Sequence, residues 1–183
     1  MRGRICLAGV AVLVVAGCAA QDPEPVAVPR AEPVVLDVPA ASSGGACRLL
    51  DFAVIEEHTG ERFDVAASSS RGDTHTCVVR AERVLLPELA LTVSDTSIDV
   101  TGFTADVLPG GARKVGNLGR AGYRRTANAA DGHGPVAEVG WLAAEGRLVT
   151  LRWTLPKGAD RAAADELADR LVGLAKTVDT PAL

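Results

Sequence analysis

The 183-residue chain carries 19 Lys and Arg side chains against 23 Asp and Glu, which gives a formal net charge of −4. This mildly acidic balance argues against nucleic acid or an anionic lipid surface as the main partner. The length suffices for one domain with its own hydrophobic core.

The N-terminus predicts export. A short basic start precedes an apolar run over residues 5–16, and Val15-Ala16-Gly17-Cys18 closes it. The run is shorter than the ~20 residues that a membrane-spanning helix needs, and its basic, apolar and small-residue parts match a secretory signal. The tetrad resembles the lipobox of bacterial lipoproteins, which implies cleavage before Cys18 and a lipid on its thiol. The alternatives are an ordinary cleaved signal with an incidental Cys18, or a lasting transmembrane anchor.

Export divides the four cysteines. Cys6 leaves with the signal, Cys18 takes the lipid, and Cys47 and Cys77 remain as an even pair. In an oxidising compartment this pair predicts a disulfide, whose loop of about 30 residues would stabilise the fold by roughly 3–4 kcal/mol. A metal site using both thiolates is the alternative, but no CxxC pair supports it, so we expect no metal and no cofactor.

Prolines mark a tether after Cys18, because proline fixes φ and lacks an N–H donor and so disfavours a helix or a central strand. They lie at Pro23, Pro25, Pro29, Pro33 and Pro39. Residues 34–36 could instead dock on the domain as an edge strand. The predicted organisation is a signal peptide over residues 1–17, a lipidated tether over residues 18–45 and a globular domain over residues 46–183.

Two helices are predicted in the domain. Asp51 can cap a short helix that ends at Gly60, with Val54 and Ile55 available for the core. Near the C-terminus, apolar residues recur at helical spacing and predict an amphipathic helix over residues 161–178 with Asp160 as its cap. The apolar stripe consists of Ala164, Leu167, Leu171, Leu174 and Val178.

The first strands follow the short helix. Residues 64–76 predict a polar loop, in which Arg71-Gly72-Asp73 forms a turn. Residues 77–82 and 89–93 alternate between apolar and polar side chains and predict an antiparallel pair. Residues 98–107 fit a strand that is broken at a glycine, and a short helix is the competing interpretation.

The second half of the domain predicts three more strands. Residues 121–126 form one, after a glycine-rich entry that lacks the spacing of a phosphate-binding loop. Residues 136–144 and 147–155 predict a hairpin around Glu145-Gly146. The two tryptophans of this hairpin, at positions 141 and 153, are expected in the core.

The polar candidates are few. Arg120, Arg124 and Arg125 predict a solvated strand face, with an anion-binding patch as the alternative. The three histidines, at positions 58, 75 and 133, are dispersed and have no further ligands close in sequence. We therefore predict no catalytic residue and no metal ligand.

The element order predicts an α+β fold: an antiparallel sheet of about five strands with a short N-terminal helix and a long C-terminal helix packed on it. The segment Cys47-x-Leu49-Leu50-Asp51, followed by Gly60 and Cys77, resembles a pattern in actinobacterial cell-envelope lipoproteins of unknown function. Val115-x-x-Leu118-Gly119-x-Ala121 is similar to their glycine-bearing entry to a middle strand. The resemblance covers residues 46–178 and implies a PsbP-like fold, but Asn117 departs from the usual glycine and residues 98–107 have no counterpart. It implies no catalytic residues.

These observations predict an exported, non-catalytic binding or accessory domain, held at the outer face of the cell membrane by the lipid on Cys18. Its partner would be another envelope protein or a small apolar ligand, and not nucleic acid. The alternative is an envelope hydrolase acting on a cell-wall or lipid substrate, although no Gly-x-Ser-x-Gly or HExxH motif is present. An acid-lined pocket would favour the enzyme, an apolar cleft the small ligand and an exposed apolar patch the protein partner.

Overall fold

A computed structural model describes residues 39–183, whose central element is a seven-stranded antiparallel sheet. Cys18 and residues 34–36 lie outside the described residues. The strands are β1 (Val65–Arg71), β2 (Thr74–Arg80), β3 (Glu88–Asp95), β4 (Arg113–Val115), β5 (Ala121–Ala127), β6 (Val136–Leu142) and β7 (Arg147–Thr154). The helices are α1 (Phe52–Thr59), α2 (Val100–Gly102) and α3 (Arg161–Ala175), with 3₁₀ turns at Ala40–Ser43, Gly45–Leu49 and Thr180–Ala182.

The sheet consists of two meanders. Its order is β1-β2-β3-β7-β6-β5-β4. The first meander is β1–β2–β3 and the second is β4–β5–β6–β7, and within each meander every strand pairs with its neighbour in sequence. The long-range pairing joins β3 to β7 in the middle of the sheet, with Leu91 opposite Leu151. The predicted α+β class with an antiparallel sheet is therefore confirmed.

The predicted strand number is wrong, because the sheet has seven strands and not about five. Residues 64–76 are not a polar loop: they form β1, a turn at Gly72-Asp73 and the start of β2. Since β1 is an edge strand and exposed along most of its length, its serines need no apolar alternation. The other extra strand is β4, which is only three residues long.

Both predicted helices are present, with their predicted caps. The Asp51 carboxylate accepts a hydrogen bond from the Ala53 N–H at 2.8 Å, and Gly60 ends α1 with a φ of 79°. The Asp160 carboxylate accepts from the Ala163 N–H at 2.7 Å. The long helix α3 ends at Ala175, earlier than predicted, and the half-buried Val178 follows it outside the helix.

One face of the sheet, which we call the helix face, carries the main core. Alternate residues of β3, β6 and β7 are fully buried there against α1 and α3, as the alternation predicts. Trp153 is completely buried and lies 5.0 Å from Phe63 between ring centroids. Trp141 is buried as well, so both tryptophans belong to the core as expected.

The predicted disulfide is present. Cys47 and Cys77 are bonded, with their Cα atoms 4.9 Å apart. The bond joins the 3₁₀ turn Gly45–Leu49 to the helix face of β2, and both residues are fully buried. It ties the N-terminal entry of the domain to the first meander.

The hairpin β6–β7 is confirmed, but its turn is longer than predicted. The Ala143 N–H donates to the Arg147 carbonyl at 2.8 Å, which leaves residues 144–146 as the loop. Gly146 has a φ of 72° there, which is the left-handed position of a three-residue loop.

No helix within residues 39–183 has the length and apolar character needed to cross a membrane.

Candidate ligand-binding cleft

Residues 100–107 are helical, so the broken strand predicted over residues 98–107 is wrong and the competing helix is correct. The Asp99 carboxylate accepts a hydrogen bond from the Gly102 N–H at 2.8 Å and starts α2. Gly102 does not break a strand here. A Cβ at that position would lie 2.7 Å from Cγ1 of Ile98, so only glycine lets the turn close on this side chain.

A π turn at Phe103–Val107 extends α2. Its defining bond runs from the Leu108 N–H to the Phe103 carbonyl at 2.9 Å, five residues back. Such a widened turn is rare and occurs often at functional sites. Here it places Phe103 beneath the turn and leaves Thr104 exposed.

The segment packs on the second face of the sheet, opposite α1 and α3. Phe103 is 2% exposed and forms a small second core with Tyr123 and Leu142. The rings of Phe103 and Tyr123 lie 6.1 Å apart between centroids, with their planes inclined by 36°. This second core anchors the helical segment to β5 and β6.

An apolar cleft of about 200 Å³ separates the helical segment from the β4–β5 ladder. The helical side consists of Val100, Phe103, Thr104 and Leu108, and the sheet side of Lys114, Val115, Ala121 and Gly122. Val100 is 39% exposed and leaves an apolar entrance to the cleft. Lys114 is exposed and is the charged residue of the lining.

A buried polar cluster adjoins Phe103, a lining residue of the cleft, through Tyr123. The Tyr123 hydroxyl donates to Oε1 of Glu138 at 2.9 Å, and Arg125 donates through Nε at 2.8 Å and through Nη2 at 3.0 Å. Glu138 is only 5% exposed. All three side chains lie on the second face, because Arg125 is directly opposite Glu138 in the β5–β6 ladder.

The charges of this cluster are fixed. Burial alone would raise the pKa of the Glu138 carboxyl, but the hydrogen bonds from Arg125 and Tyr123 outweigh burial and hold that pKa below its usual value. Burial, together with the adjacent carboxylate, raises the pKa of the Tyr123 hydroxyl. Glu138 is therefore an ionised hydrogen-bond acceptor and Tyr123 a neutral donor. The cluster has a structural role.

Gly140 makes room for the tyrosine. It lies opposite Tyr123 in the β5–β6 ladder, and a Cβ on it would fall 2.5 Å from Cε1 and 2.7 Å from the hydroxyl oxygen. The ring thus lies flat over the glycine on its way to Glu138. The position of Tyr123, and through it that of Phe103, depends on this missing side chain.

The structure separates the three arginines that the sequence groups together. Arg125 is bound to Glu138 on the second face, whereas Arg124 reaches Asp169 of α3 on the helix face at 2.8 Å. Arg120 is exposed in the loop before β5. Arg124 and Arg125 are therefore not a solvated face, and each is bound to a different carboxylate.

The histidines are not brought together. His58 lies against Gly173 of α3, His75 bonds to the Ser70 hydroxyl at 2.9 Å, and His133 donates to the Gly134 carbonyl at 2.6 Å. His133 is half-buried. Within residues 39–183, no three His, Cys, Asp or Glu side chains are placed to hold a metal ion.

The cleft was not predicted, because the β-branched residues around position 100 favour a strand. The usable signal was Asp99 as a cap, with Val100, Phe103 and Val107 at helical spacing behind it. The buried role of Glu138 had no local signal, since Arg125 becomes its partner only through the strand register.

Comparison with family models, curated proteins and solved structures yields no match to this chain.

Proposed function

We propose that this chain is a non-catalytic binding domain of the cell envelope, anchored to the outer face of the membrane by a lipid on Cys18, and that its ligand is a small apolar group. The observation that carries the proposal is the apolar cleft between α2 with its π turn and the β4–β5 ladder. Small-molecule sites are concave and mostly apolar, as this cleft is.

The size of the cleft limits the ligand. Its volume of about 200 Å³ is below the roughly 300–1,000 Å³ typical of drug-sized sites. The ligand is therefore a short apolar group, such as the end of an acyl chain or a single ring. Its affinity comes mainly from apolar surface removed from water, at about 0.8 kcal/mol for each buried methylene.

The state of Glu138 supports a non-catalytic role. The pKa of the Glu138 carboxyl is displaced downward, because Arg125 and Tyr123 already hold the ionised form. A carboxylate held in this way is a poor general base. The hydrolase expected as the alternative therefore has less support than the binding domain.

Octan-1-ol, a neutral probe, tests the cleft. We expect it to shift the methyl NMR signals of Val100 and Leu108 in a saturable way. Ala121→Leu adds a side chain to the sheet wall of the cleft and should abolish these shifts. Ala67→Leu is the matched control, because Ala67 is an exposed strand residue of β1, away from the cleft.

Two outcomes would count against the cleft as the site. One is the absence of saturable methyl shifts at octanol concentrations up to its solubility. The other is equal octanol binding by the Ala121→Leu and Ala67→Leu proteins.

The anchor is tested separately through Cys18→Ala in the full chain. Without a thiol the precursor cannot receive a lipid, so the protein should move from the detergent phase to the aqueous phase in a detergent partition experiment. Unchanged partitioning of the variant would show that Cys18 is not the anchor.

A further inference from the structure

A second cavity, of about 320 Å³, lies on the helix face between the β4–β5 ladder and α3. Its lining is polar and includes four arginines and two aspartates from three elements. These residues are Arg113 of β4, Arg124 and Arg125 of β5, and Arg161, Asp165 and Asp169 of α3. The strand β4 thus separates this cavity from the apolar cleft.

The strand register places two of these arginines side by side. Arg113 is directly opposite Arg124 in the β4–β5 ladder, so both side chains project from the same face. Arg124 contacts Asp169 of α3, which identifies that face as the helix face. Like charges directly opposite each other destabilise a sheet unless an anion compensates them.

The carboxylates of α3 compensate this charge incompletely. Asp169 binds Arg124 at 2.8 Å through a single nitrogen, Nη1. Asp165 accepts a hydrogen bond from the Thr126 hydroxyl and lies 4.0 Å from Nε of Arg161. Since Arg125 is bound to Glu138 on the second face, three positive and two negative side chains remain in the cavity.

Arg113 and Arg161 differ in the hydrogen bonds and ion pairs that they already form. The Arg161 guanidinium already donates to the Asn128 side chain and to the Thr126 carbonyl, the latter at 3.4 Å. Arg113 is exposed and takes part in none of the ion pairs found within residues 39–183. The guanidinium of Arg113 and the unused nitrogens of Arg124 are thus the donors open to a ligand.

We propose that this cavity binds a phosphate group through Arg113 and Arg124. A guanidinium is planar and presents paired N–H donors, which match two oxygens of a phosphate, and a tetrahedral anion can bridge two such groups. Asp165 and Asp169 leave part of the positive charge of the arginines uncompensated, and the negative charge of the ligand compensates it. This inference does not depend on the proposed function, because the apolar cleft has a different lining.

Inorganic phosphate is the first probe. It should shift the Nε–Hε NMR signals of Arg113 and Arg124 in a saturable way, and the affinity should fall steeply with salt. Arg113→Gln should weaken binding about tenfold or more, because a bidentate charge-assisted contact is lost. The matched control is Arg62→Gln, since the Arg62 side chain is 80% exposed and its ion pair with Glu56 is long at 3.7 Å.

A second variant tests the charge balance. Asp169→Asn removes the carboxylate that competes for Arg124, so phosphate should bind severalfold more tightly. The Asp169 side chain is 64% exposed, so the loss of its ion pair costs little stability. A merely structural role for the cluster would predict no gain in phosphate affinity from this change.

The proposal is overturned if phosphate leaves the Arg113 and Arg124 signals unchanged, if Arg113→Gln binds like Arg62→Gln, or if Asp169→Asn fails to bind more tightly.

The source of the phosphate is distinguished with glycerol 3-phosphate and with phosphatidylglycerol vesicles, using phosphatidylcholine vesicles as the control. Displacement of glycerol 3-phosphate by the phosphatidylglycerol vesicles supports a lipid headgroup. Binding without displacement supports a soluble phosphate ester. Octanol-induced methyl shifts should be the same in Arg113→Gln as in the unmodified protein, so failure at one site is distinguishable from failure at the other.

Discussion

Replacing Gly140 with alanine tests whether this glycine makes room for Tyr123 and its hydrogen bond to Glu138. The new methyl group would lie 2.5–2.7 Å from the tyrosine ring and hydroxyl, whereas carbon atoms in contact are about 3.5–4.0 Å apart. The ring must therefore move by roughly 1 Å. A shift of that size breaks the 2.9 Å hydrogen bond to Glu138 and disturbs the contact with Phe103.

The expected loss of stability follows from three contributions. Overpacking costs about 1–3 kcal/mol, and the lost hydrogen bond to a charged acceptor costs about 1.5–3 kcal/mol. Alanine returns about 0.4–1 kcal/mol by restricting the unfolded chain. Because movement of the ring relieves the overpacking while it breaks the hydrogen bond, the first two costs overlap, and we expect a net destabilisation of about 2–3 kcal/mol.

Urea unfolding of the oxidised domain measures this loss as a lower midpoint at unchanged slope. Gly116→Ala is the matched control, because a Cβ there meets no atom within 4 Å and the backbone is not in the left-handed region. A double-mutant cycle with Tyr123→Phe sharpens the test. Removing the hydroxyl should cost about 1.5–3 kcal/mol in the unmodified protein and less than about 1 kcal/mol beside Gly140→Ala.

Two results would refute this reasoning. One is a Gly140→Ala protein as stable as the Gly116→Ala control. The other is an undiminished cost of Tyr123→Phe in the Gly140→Ala background, which would show that the hydroxyl still reaches Glu138.

Two further predictions concern stability. The double substitution Cys47→Ala and Cys77→Ala should lower the free energy of unfolding by about 3–4 kcal/mol in urea, since the bond closes a loop with a sequence separation of 30; an unchanged midpoint would contradict it. Because the pKa of Glu138 is lowered by folding, its ionisation contributes stability that is fully present above the usual glutamate pKa of about 4.3 and is lost as the pH falls through the lower folded-state value. Glu138→Gln should therefore flatten the decline of the urea midpoint below that pH, and a decline parallel to that of the unmodified protein would contradict the assignment.

Local patterns predicted the elements whose signals are local. The caps Asp51 and Asp160 and the apolar stripe of α3 need only helical spacing, and the structure reproduces them. The hairpin around Gly146 and the Cys47–Cys77 bond were also predicted from the sequence. These elements fix the α+β class.

The failures have a common physical cause, which is that the deciding partners are distant in sequence. The strand β1 has no apolar alternation that would reveal it in the sequence. Only its pairing with β2 defines it as a strand. The helical turn at residue 100 overrides the strand preference of its β-branched residues by burying Phe103 against Tyr123. The opposite fates of Arg124 and Arg125 follow from the alternation of side chains on β5, which their sequence cluster conceals.

The position of the cleft has a consequence for how its specificity can change. Its helical wall belongs to the connection between the two meanders, and that connection contributes no strand between β3 and β4. Insertions or replacements in residues 98–108 would therefore reshape the cleft without shifting any strand register. The sheet is a frame to which this segment is added from outside, as loops are added to an immunoglobulin sandwich.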